Sequence, residues 1–314
     1  MAVDEHVTQL LTGLDAQGVP PFSQMPLEQI RETIAGFTGM QLPPEDVAGF
    51  TETEYLGVDG NSRPLRIYTP DVPGPRPIVL YFHGGGFIAG NLDVVDEPAR
   101  AIANASGAIV VTASYRLAPE HPFPAASDDA AAALQWVADN VSAHGGDPEN
   151  IILLGDSAGG NLAASAALRA RDTGGPRVNG LVLIYPALNP NANLPSRAEF
   201  GEGFLIGSAD LDFFWTSYLQ EPEDASNPYA VPPLADLAGL PATLVLTTEN
   251  EVTRDEGEQF ADALRAAGVQ CRNTRFDGLV HGVFWLSAAV PRGRELLDAA
   301  TQFIREVSVA APAR

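Results

Sequence analysis

The chain has 314 residues, of which 40 are acidic and 18 are basic, so its formal net charge is −22 at pH 7. This charge repels nucleic-acid phosphates and anionic membranes, and we expect no partner of either kind. Hydrophobic residues make up 45% of the chain without a run of membrane-spanning length, and the acidic N-terminus lacks the features of a signal peptide, so the expectation is a cytoplasmic globular protein.

Helical signals fill the first 50 residues, where segments 4–14 and 26–37 predict two helices. Residues 51–70 alternate in type around a D-G turn, which predicts an antiparallel hairpin. After the buried-strand run PIVLYF, strand-like segments alternate with predicted helices at 125–140, 159–172, 255–267 and 291–309. This alternation predicts an α/β fold with a largely parallel sheet that helices cover on both faces.

Two later segments depart from this alternation. Residues 187–228 open with a polar, proline-rich stretch and continue into an aromatic-rich helix at 208–219, a pattern typical of an insertion over a binding face. Near the C-terminus, VQCRNTRF predicts an edge strand. An open edge can pair with its copy in a second subunit, so a homodimer through this strand is one expectation.

The central motif is the serine turn in IILLGDSAGG, residues 151–160. An apolar strand, a G-x-S-x-G turn and a predicted helix follow one another, which is the arrangement of a nucleophile elbow. Such a tight turn accepts only glycine on either side of the serine, and it lifts the Ser157 hydroxyl out of the chain. The N–H of Ala158, at the start of the helix, is then free to bind an anion.

A nucleophilic serine needs a base, and in α/β-hydrolases the acid and the histidine follow the serine along the chain. Of the five histidines, His281 alone follows Ser157, and it lies in a loop directly after the last predicted strand. We therefore predict that His281 is the base. The five histidines show no metal-ligand spacing and Cys271 is the single cysteine, so neither a metal site nor an intramolecular disulfide is expected.

The acid is sought in the loop after the strand ATLVLTT, where four carboxylates compete. Thr253 and Glu256 have the spacing of a capping box, and Asp255 lies in the first helical turn, where the helix dipole favours a negative charge. Glu251 has no such local structural duty. We therefore predict Glu251 as the acid, with Asp255 as the alternative.

The sequence HGGG at 83–86 directly follows the strand PIVLYF. Three glycines let the backbone approach a ligand closely and aim several N–H groups at one point, as an oxyanion hole requires. A flexible turn is the alternative interpretation, but such a turn rarely needs three glycines behind a buried strand. His83 itself is expected to fix this loop through hydrogen bonds.

Four motifs together resemble the bacterial hormone-sensitive-lipase-like, or family IV, esterases: HGGG at 83–86, YRLAPEHPFPAA at 115–126, GDSAGGNLA at 155–163 and HGV at 281–283. The resemblance, which is nearest to the subgroup with GDSAG at the elbow, implies an α/β-hydrolase fold and cofactor-free hydrolysis of short acyl esters. It also implies that Ser157 is the nucleophile, that His281 is the base, and that the oxyanion hole is formed by Gly85, Gly86 and Ala158.

The resemblance further implies a helical cap made of residues 1–50 and the insertion 187–228, over a core made of residues 51–186 and 229–314. One segment departs from the family pattern. Where relatives usually read DPLRDEG, residues 251–257 read EVTRDEG, so glutamate replaces the usual triad aspartate. Glutamate is an accepted triad acid in this fold, and activity is expected to survive the extra methylene.

The expected substrate is a small-molecule ester with a short- to medium-chain acyl group. An amide or a lactone is an alternative, because the same triad could hydrolyse either one. A ligand-binding protein, like the plant gibberellin receptors that lack the catalytic histidine, is disfavoured because His281 is present. Six aromatic residues either line a substrate pocket or pack within the cap: Phe204, Phe213, Phe214, Trp215, Tyr218 and Trp285.

Overall fold

A single eight-stranded sheet forms the centre of the computed structural model, which describes residues 2–309. In chain order the strands are β1 (Gly49–Leu56), β2 (Ser62–Thr69), β3 (Arg76–Phe82), β4 (Ile109–Ala113), β5 (Gly146–Asp156), β6 (Val178–Ile184), β7 (Ala242–Asn250) and β8 (Cys271–Val280). Their spatial order is β1-β2-β4-β3-β5-β6-β7-β8. Strand β2 runs antiparallel to β1 and β4, and the remaining neighbours pair in parallel. The predicted hairpin and the largely parallel sheet are confirmed.

Helices flank this sheet. Within residues 2–309 they are α1 (Glu5–Ala16), α2 (Leu27–Ala35), α3 (Asp96–Ser106), α4 (Ala125–Asn140), α5 (Ala158–Thr173), α6 (Pro195–Glu199), α7 (Ser208–Tyr218), α8 (Arg254–Ala266) and α9 (Arg294–Val309). Helices α3 and α9 pack against each other, and α4 packs against α5. The seven predicted helices are present with ends shifted by a few residues, whereas α3 and the short α6 were not predicted from the sequence.

The core follows from the strand sequences. In β3, Ile78 to Phe82 are buried without interruption, as expected of a strand covered on both faces. Strand β1, at one edge of the sheet, is mostly exposed or half-buried. Strand β8 forms the opposite edge, which confirms the predicted edge strand. Its pairing with a second copy stays a prediction, and a monomer by light scattering would contradict it.

The segments 2–50 and 187–228, which we call the cap, meet over the carboxyl end of the sheet. Helix α7 contacts the short 3₁₀ turn Phe22–Gln24, and the backbone N–H of Ser23 donates a hydrogen bond to Asp210 Oδ1 at 2.8 Å. Treating the cap and the core as separate domains with the predicted boundaries stays a prediction. Across residues 2–309, no helix has both the length and the apolar character needed to cross a membrane.

Candidate active site

The serine turn lies between β5 and α5. Ser157 has φ 55° and ψ −120°, a conformation that is unfavourable for a residue with a side chain and persists because its surroundings impose it. A Cβ atom on Gly155 would lie 2.0 Å from the carbonyl oxygen of Gly159, and one on Gly159 would lie 2.0 Å from that of Phe82. Both flanking positions therefore require glycine, and the strand, turn and helix occur in the predicted order.

The side chains of Ser157, His281 and Glu251 meet although they are far apart in the sequence. His281 Nε2 lies 2.8 Å from Ser157 Oγ, and His281 Nδ1 lies 2.9 Å from Glu251 Oε2. A carboxylate can only accept, so Nδ1 carries the proton and Nε2 offers its lone pair to the serine hydroxyl. Glu251 is fully buried, and its Oε1 accepts a hydrogen bond from the Thr248 N–H at 2.8 Å.

Two residues that the sequence did not indicate hold the imidazole in place. The ring of Tyr185 lies 4.5 Å from the imidazole of His281, measured between ring centres. Tyr185 also has a positive φ of 35°, and its N–H donates to the carbonyl of Leu246. Thr253 Oγ1 lies 3.3 Å from His281 Nδ1, beside the Glu251 carboxylate. The imidazole is thus bounded by an aromatic ring and by a second polar group.

The competing carboxylates of this loop point elsewhere. Asp255 accepts the Ser196 N–H at 2.9 Å and pairs with Arg254, so it binds the cap and not His281. The predicted capping box at Thr253 and Glu256 is wrong, since the Thr253 side chain makes no capping bond with the described backbone. Glu256 instead accepts the N–H of Leu188 at 3.0 Å. Burial raises the pKa of Glu256 to about 8.

The glycine loop after β3 curls tightly beside the serine. Gly85 has φ 109° and Gly86 has φ 62°, and the carbonyl of Gly85 accepts the N–H groups of Ile88 and Ala89 at 3.2 and 3.0 Å. Both glycines line one cavity with Ser157. Ala158 is the first residue of α5, where backbone N–H groups have no partner inside the helix. All three predicted oxyanion-hole residues therefore lie around the serine turn.

His83 is buried at the start of this loop. Its Nδ1 lies 2.7 Å from the carbonyl oxygen of Gly84, and its ring stacks on Tyr115 with 4.4 Å between ring centres. The Tyr115 hydroxyl in turn donates to the carbonyl of His83 at 2.7 Å. Burial lowers the pKa of His83 to about 4, so the ring is neutral at pH 7 and donates to Gly84. This hydrogen bonding fits a residue that fixes the loop.

Comparisons with known proteins agree with this geometry. A family model described as the alpha/beta hydrolase fold matches residues 79–285. Carboxylesterase NlhH of Mycobacterium tuberculosis is 40% identical over 263 residues, which are 82% of each chain. The ethyl acetate hydrolase of Pseudomonas putida is 31% identical over 274 residues, which are 85% of each chain. A hyperthermophilic esterase from Pyrobaculum calidifontis superposes with a TM-score of 0.93 at 37% identity, covering 98% of this chain and 100% of its own.

The chain belongs to the hormone-sensitive-lipase-like esterase family. It is a carboxylic ester hydrolase, as are relatives that match most of its length. The resemblance found in the four sequence motifs and the expected α/β-hydrolase fold are both confirmed. No group of three or more histidine, cysteine, aspartate or glutamate side chains within residues 2–309 is arranged to hold a metal ion.

The cavity of this esterase is small, about 50 Å³, and its walls are mostly apolar. The core supplies the serine turn, the glycine loop, Tyr185, His281 and Trp285, and the cap supplies Phe22, Ile34, Phe37, Leu205, Ile206, Leu211 and Phe214. Both segments of the cap are thus needed to enclose the serine. A volume of this size holds only a few water molecules.

Two of the six predicted pocket aromatics, Phe214 and Trp285, line this cavity. Trp215 and Tyr218 pack instead around Phe87, with ring centres 5.2 and 3.9 Å from its own. Phe204 stacks edge-on against a neighbouring cap phenylalanine, and Phe213 lies beside Phe214. Phe214 and Trp285 therefore fit the pocket interpretation, and the other four aromatic residues fit the packing interpretation.

Proposed function

We propose that this esterase hydrolyses short- to medium-chain acyl esters through a Ser157–His281–Glu251 triad and an acyl-enzyme intermediate. The proposal rests on one observation: a continuous pair of hydrogen bonds, 2.8 and 2.9 Å long, that runs from the serine hydroxyl through the imidazole to a buried carboxylate. This is the arrangement that lets an imidazole take the serine proton while a carboxylate holds its tautomer.

The reaction proceeds in two halves. Ser157 Oγ attacks the ester carbonyl while His281 Nε2 takes its proton, and Glu251 stabilises the imidazolium that forms. His281 then gives the proton to the departing alcohol, which leaves the acyl group on Ser157. In the second half, water attacks the acyl group, His281 takes a proton from that water, and the acid departs as Ser157 recovers its proton.

The negative charge of each tetrahedral intermediate needs donors that are already in place. We assign this role to the backbone N–H groups of Gly85, Gly86 and Ala158. The two glycines have positive φ angles and line the serine cavity, and Ala158 contributes the positive end of the α5 dipole. Such preset donors act without reorganising when the charge develops.

The enclosed volume supports a preference for small acyl groups. A cavity of about 50 Å³ behind apolar walls accepts an acetyl or butyryl group more readily than a long chain. The likeness to a relative named for ethyl acetate hydrolysis points the same way. We expect activity to fall beyond medium acyl chains, and a long-chain lipase profile would contradict this part of the proposal.

The test is a panel of p-nitrophenyl esters from acetate to decanoate, together with a matched anilide and a lactone, assayed with the intact protein and two variants. Ser157→Ala should lower kcat by about 10⁴-fold or more. Ser165→Ala is the control, because its hydroxyl lies within α5 and pairs with Ser127. A Ser157→Ala protein that keeps the wild-type rate refutes the triad, and faster anilide turnover than ester turnover identifies an amidase.

A further inference from the structure

Asp156 is a buried carboxyl group that directly precedes Ser157 and takes no part in the triad. Its side chain is 2% exposed and lies between the serine turn and the glycine loop. Asp156 Oδ1 accepts two hydrogen bonds, from the Tyr81 hydroxyl at 2.8 Å and from the Gly84 N–H at 3.2 Å. The second bond is made one residue before Gly85, to which we assigned an oxyanion-hole donor.

The same oxygen is joined to the loop that carries the base. The Tyr81 hydroxyl accepts a hydrogen bond from Trp285 Nε1 at 3.2 Å, and Trp285 lies four residues after His281. The hydrogen bonds from Trp285 to Tyr81 and from Tyr81 to Asp156 thus link the histidine loop, β3 and the serine turn. The Gly84 N–H adds the glycine loop to the same network.

Close packing leaves this network little freedom to shift. A Cβ atom on Gly84 would lie 2.5 Å from Asp156 Oδ2 and 2.9 Å from the Asp156 carbonyl oxygen, so the loop approaches the carboxyl group as closely as glycine allows. An oxyanion hole works only when its donors are held within about 0.5 Å of the productive position. A fixed acceptor next to the donor loop supplies such a constraint.

From these contacts we infer that Asp156 is a positioning residue, whose Oδ1 fixes the oxyanion-hole loop to the serine turn and, through Tyr81 and Trp285, to the histidine loop. The inference rests on the proposed function. It assigns the effect to an acceptor oxygen and not to a negative charge, because a full charge beside the hole would oppose the developing oxyanion. Burial raises the pKa of Asp156 to about 7, which likewise disfavours the charged form of this carboxyl group.

The inference predicts different results for two substitutions at the same position. Asp156→Ala removes the acceptor and should lower kcat for p-nitrophenyl acetate by about 10- to 100-fold, less than the loss of an oxyanion donor itself. Asp156→Asn keeps an acceptor oxygen and should stay within about fivefold of the wild type. Tyr81→Phe breaks the link to Trp285 and should lower kcat by about three- to tenfold.

A methyl trifluoromethyl ketone separates positioning from general damage, because it forms a tetrahedral adduct whose oxygen must lie in the hole. We expect its inhibition constant to rise in proportion to the fall in kcat, while KM for the acetate ester changes by less than about threefold. Tyr55→Phe is the matched control, since that buried hydroxyl donates to the carbonyl of Ser114 and belongs to edge strand β1, which β2 and β4 separate from the strand that carries Tyr81. It should lower the melting temperature without changing the inhibition constant.

Two results overturn the inference: Asp156→Ala with wild-type kcat and inhibition constant, or Asp156→Asn as damaging as Asp156→Ala. If Asp156→Ala does not fold, Tyr81→Phe tests the inference instead. An unchanged kcat and an unchanged inhibition constant in Tyr81→Phe would then contradict it. Failure of the proposed function looks different. In that case the wild type hydrolyses no ester, or Ser157→Ala remains fully active, whatever the result at position 156.

Discussion

The floor of the active site and the cap above it are held together in different ways. The floor is fixed by backbone packed against backbone: a single added carbon on Gly155 or Gly159 would lie 2.0 Å from a carbonyl oxygen, and Ser157 keeps an unfavourable φ of 55°. The cap meets the cavity through apolar side chains such as Leu205 and Phe214. The proposed chemistry therefore depends on close backbone packing, and the enclosure depends on contacts between side chains.

Polar contacts join the cap to the core at several points. Arg31 in α2 donates to the carbonyl of Ile88 at 2.9 Å and pairs with both carboxylate oxygens of Glu120 at 2.8 and 2.7 Å. Asp210 accepts the N–H groups of Ser23 and Gly207, and so ties the two cap segments to each other. The substitutions below compare the two regions, from the largest expected effect to the smallest.

The sharpest comparison is between two carboxylates of one loop, Glu251, which bonds His281, and Asp255, which bonds the cap. Glu251→Gln should lower kcat by about 10³- to 10⁴-fold, because an amide no longer stabilises the imidazolium or selects its tautomer. Asp255→Asn should stay within about threefold. The measurement is the steady-state kcat of both variants with p-nitrophenyl acetate. A larger loss of kcat in Asp255→Asn than in Glu251→Gln would move the acid role to Asp255.

A second comparison uses glycines from the two regions. Gly159→Ala forces the serine turn away from Phe82 and should lower kcat about 100-fold and the free energy of unfolding by about 1–3 kcal/mol or more. Gly13→Ala in α1 has no heavy atom within 4 Å of the new carbon and should raise the free energy of unfolding by about 0.5–1 kcal/mol. Urea titrations and kinetics measure both, and a Gly159→Ala protein of wild-type activity would contradict the rigid floor.

Loosening the cap should change substrate binding more than chemistry. Asp210→Ala leaves the N–H groups of Ser23 and Gly207 without their acceptor, at a cost of about 1–3 kcal/mol. We expect KM for p-nitrophenyl butyrate to rise about three- to tenfold while kcat for the acetate stays within about threefold. Asp212→Ala is the control, because that exposed residue of α7 pairs with Arg197 at the cap surface. An equal loss of kcat in both variants would contradict the comparison.

The smallest effect on catalysis is expected at Glu256, whose contribution is to stability and which accepts the N–H of Leu188 where the inserted cap segment begins. Burial raises the pKa of Glu256 from its usual 4.5 to about 8, so between these values the folded protein holds a proton that the unfolded chain releases. The stability from this group is complete below pH 4.5 and is lost as the pH rises towards 8, with a slope of at most about 1.4 kcal/mol per pH unit.

Glu256→Gln stays neutral at every pH and should flatten this dependence. The measurement is the midpoint of urea unfolding between pH 5 and pH 8 for both proteins. A steeper fall for the variant than for the wild type would contradict a buried, protonated Glu256. Asp156, whose pKa burial raises to about 7, acts in the same direction and should leave the variant with a residual slope.

Local patterns in the sequence predicted most of the fold, because strands and helices here follow clear apolar periodicities. The missed helix α3 begins with Asp96, Glu97 and Pro98, which resembles a turn. Proline is tolerated in a first helical turn, and what stabilises α3 is packing of its alanines and Ile102 against the core and α9. Such tertiary stabilisation leaves no local signal.

The candidate site shows the same difference between features that local sequence patterns predict and features that depend on tertiary contacts. The G-x-S-x-G turn indicated Ser157, chain order indicated His281, and the absence of a local structural role indicated Glu251; the structure brings these three side chains together. The capping box failed because Thr253 and Glu256 have tertiary partners that outweigh the local pattern. The bond between Tyr81 and Asp156 joins residues 75 positions apart, which no pattern in one sequence reveals.

Most of the apolar side chains that line the cavity come from residues 2–50 and 187–228, whereas the proposed reacting groups come from the core between and after them. The apolar residues that enclose a substrate and the residues proposed to react with it thus lie in different segments of the chain. In the proposed mechanism, a substitution in these walls changes which esters the cavity accepts and leaves the proton-transferring side chains in place. The substrate range of such an esterase can therefore change without a change in its catalytic residues.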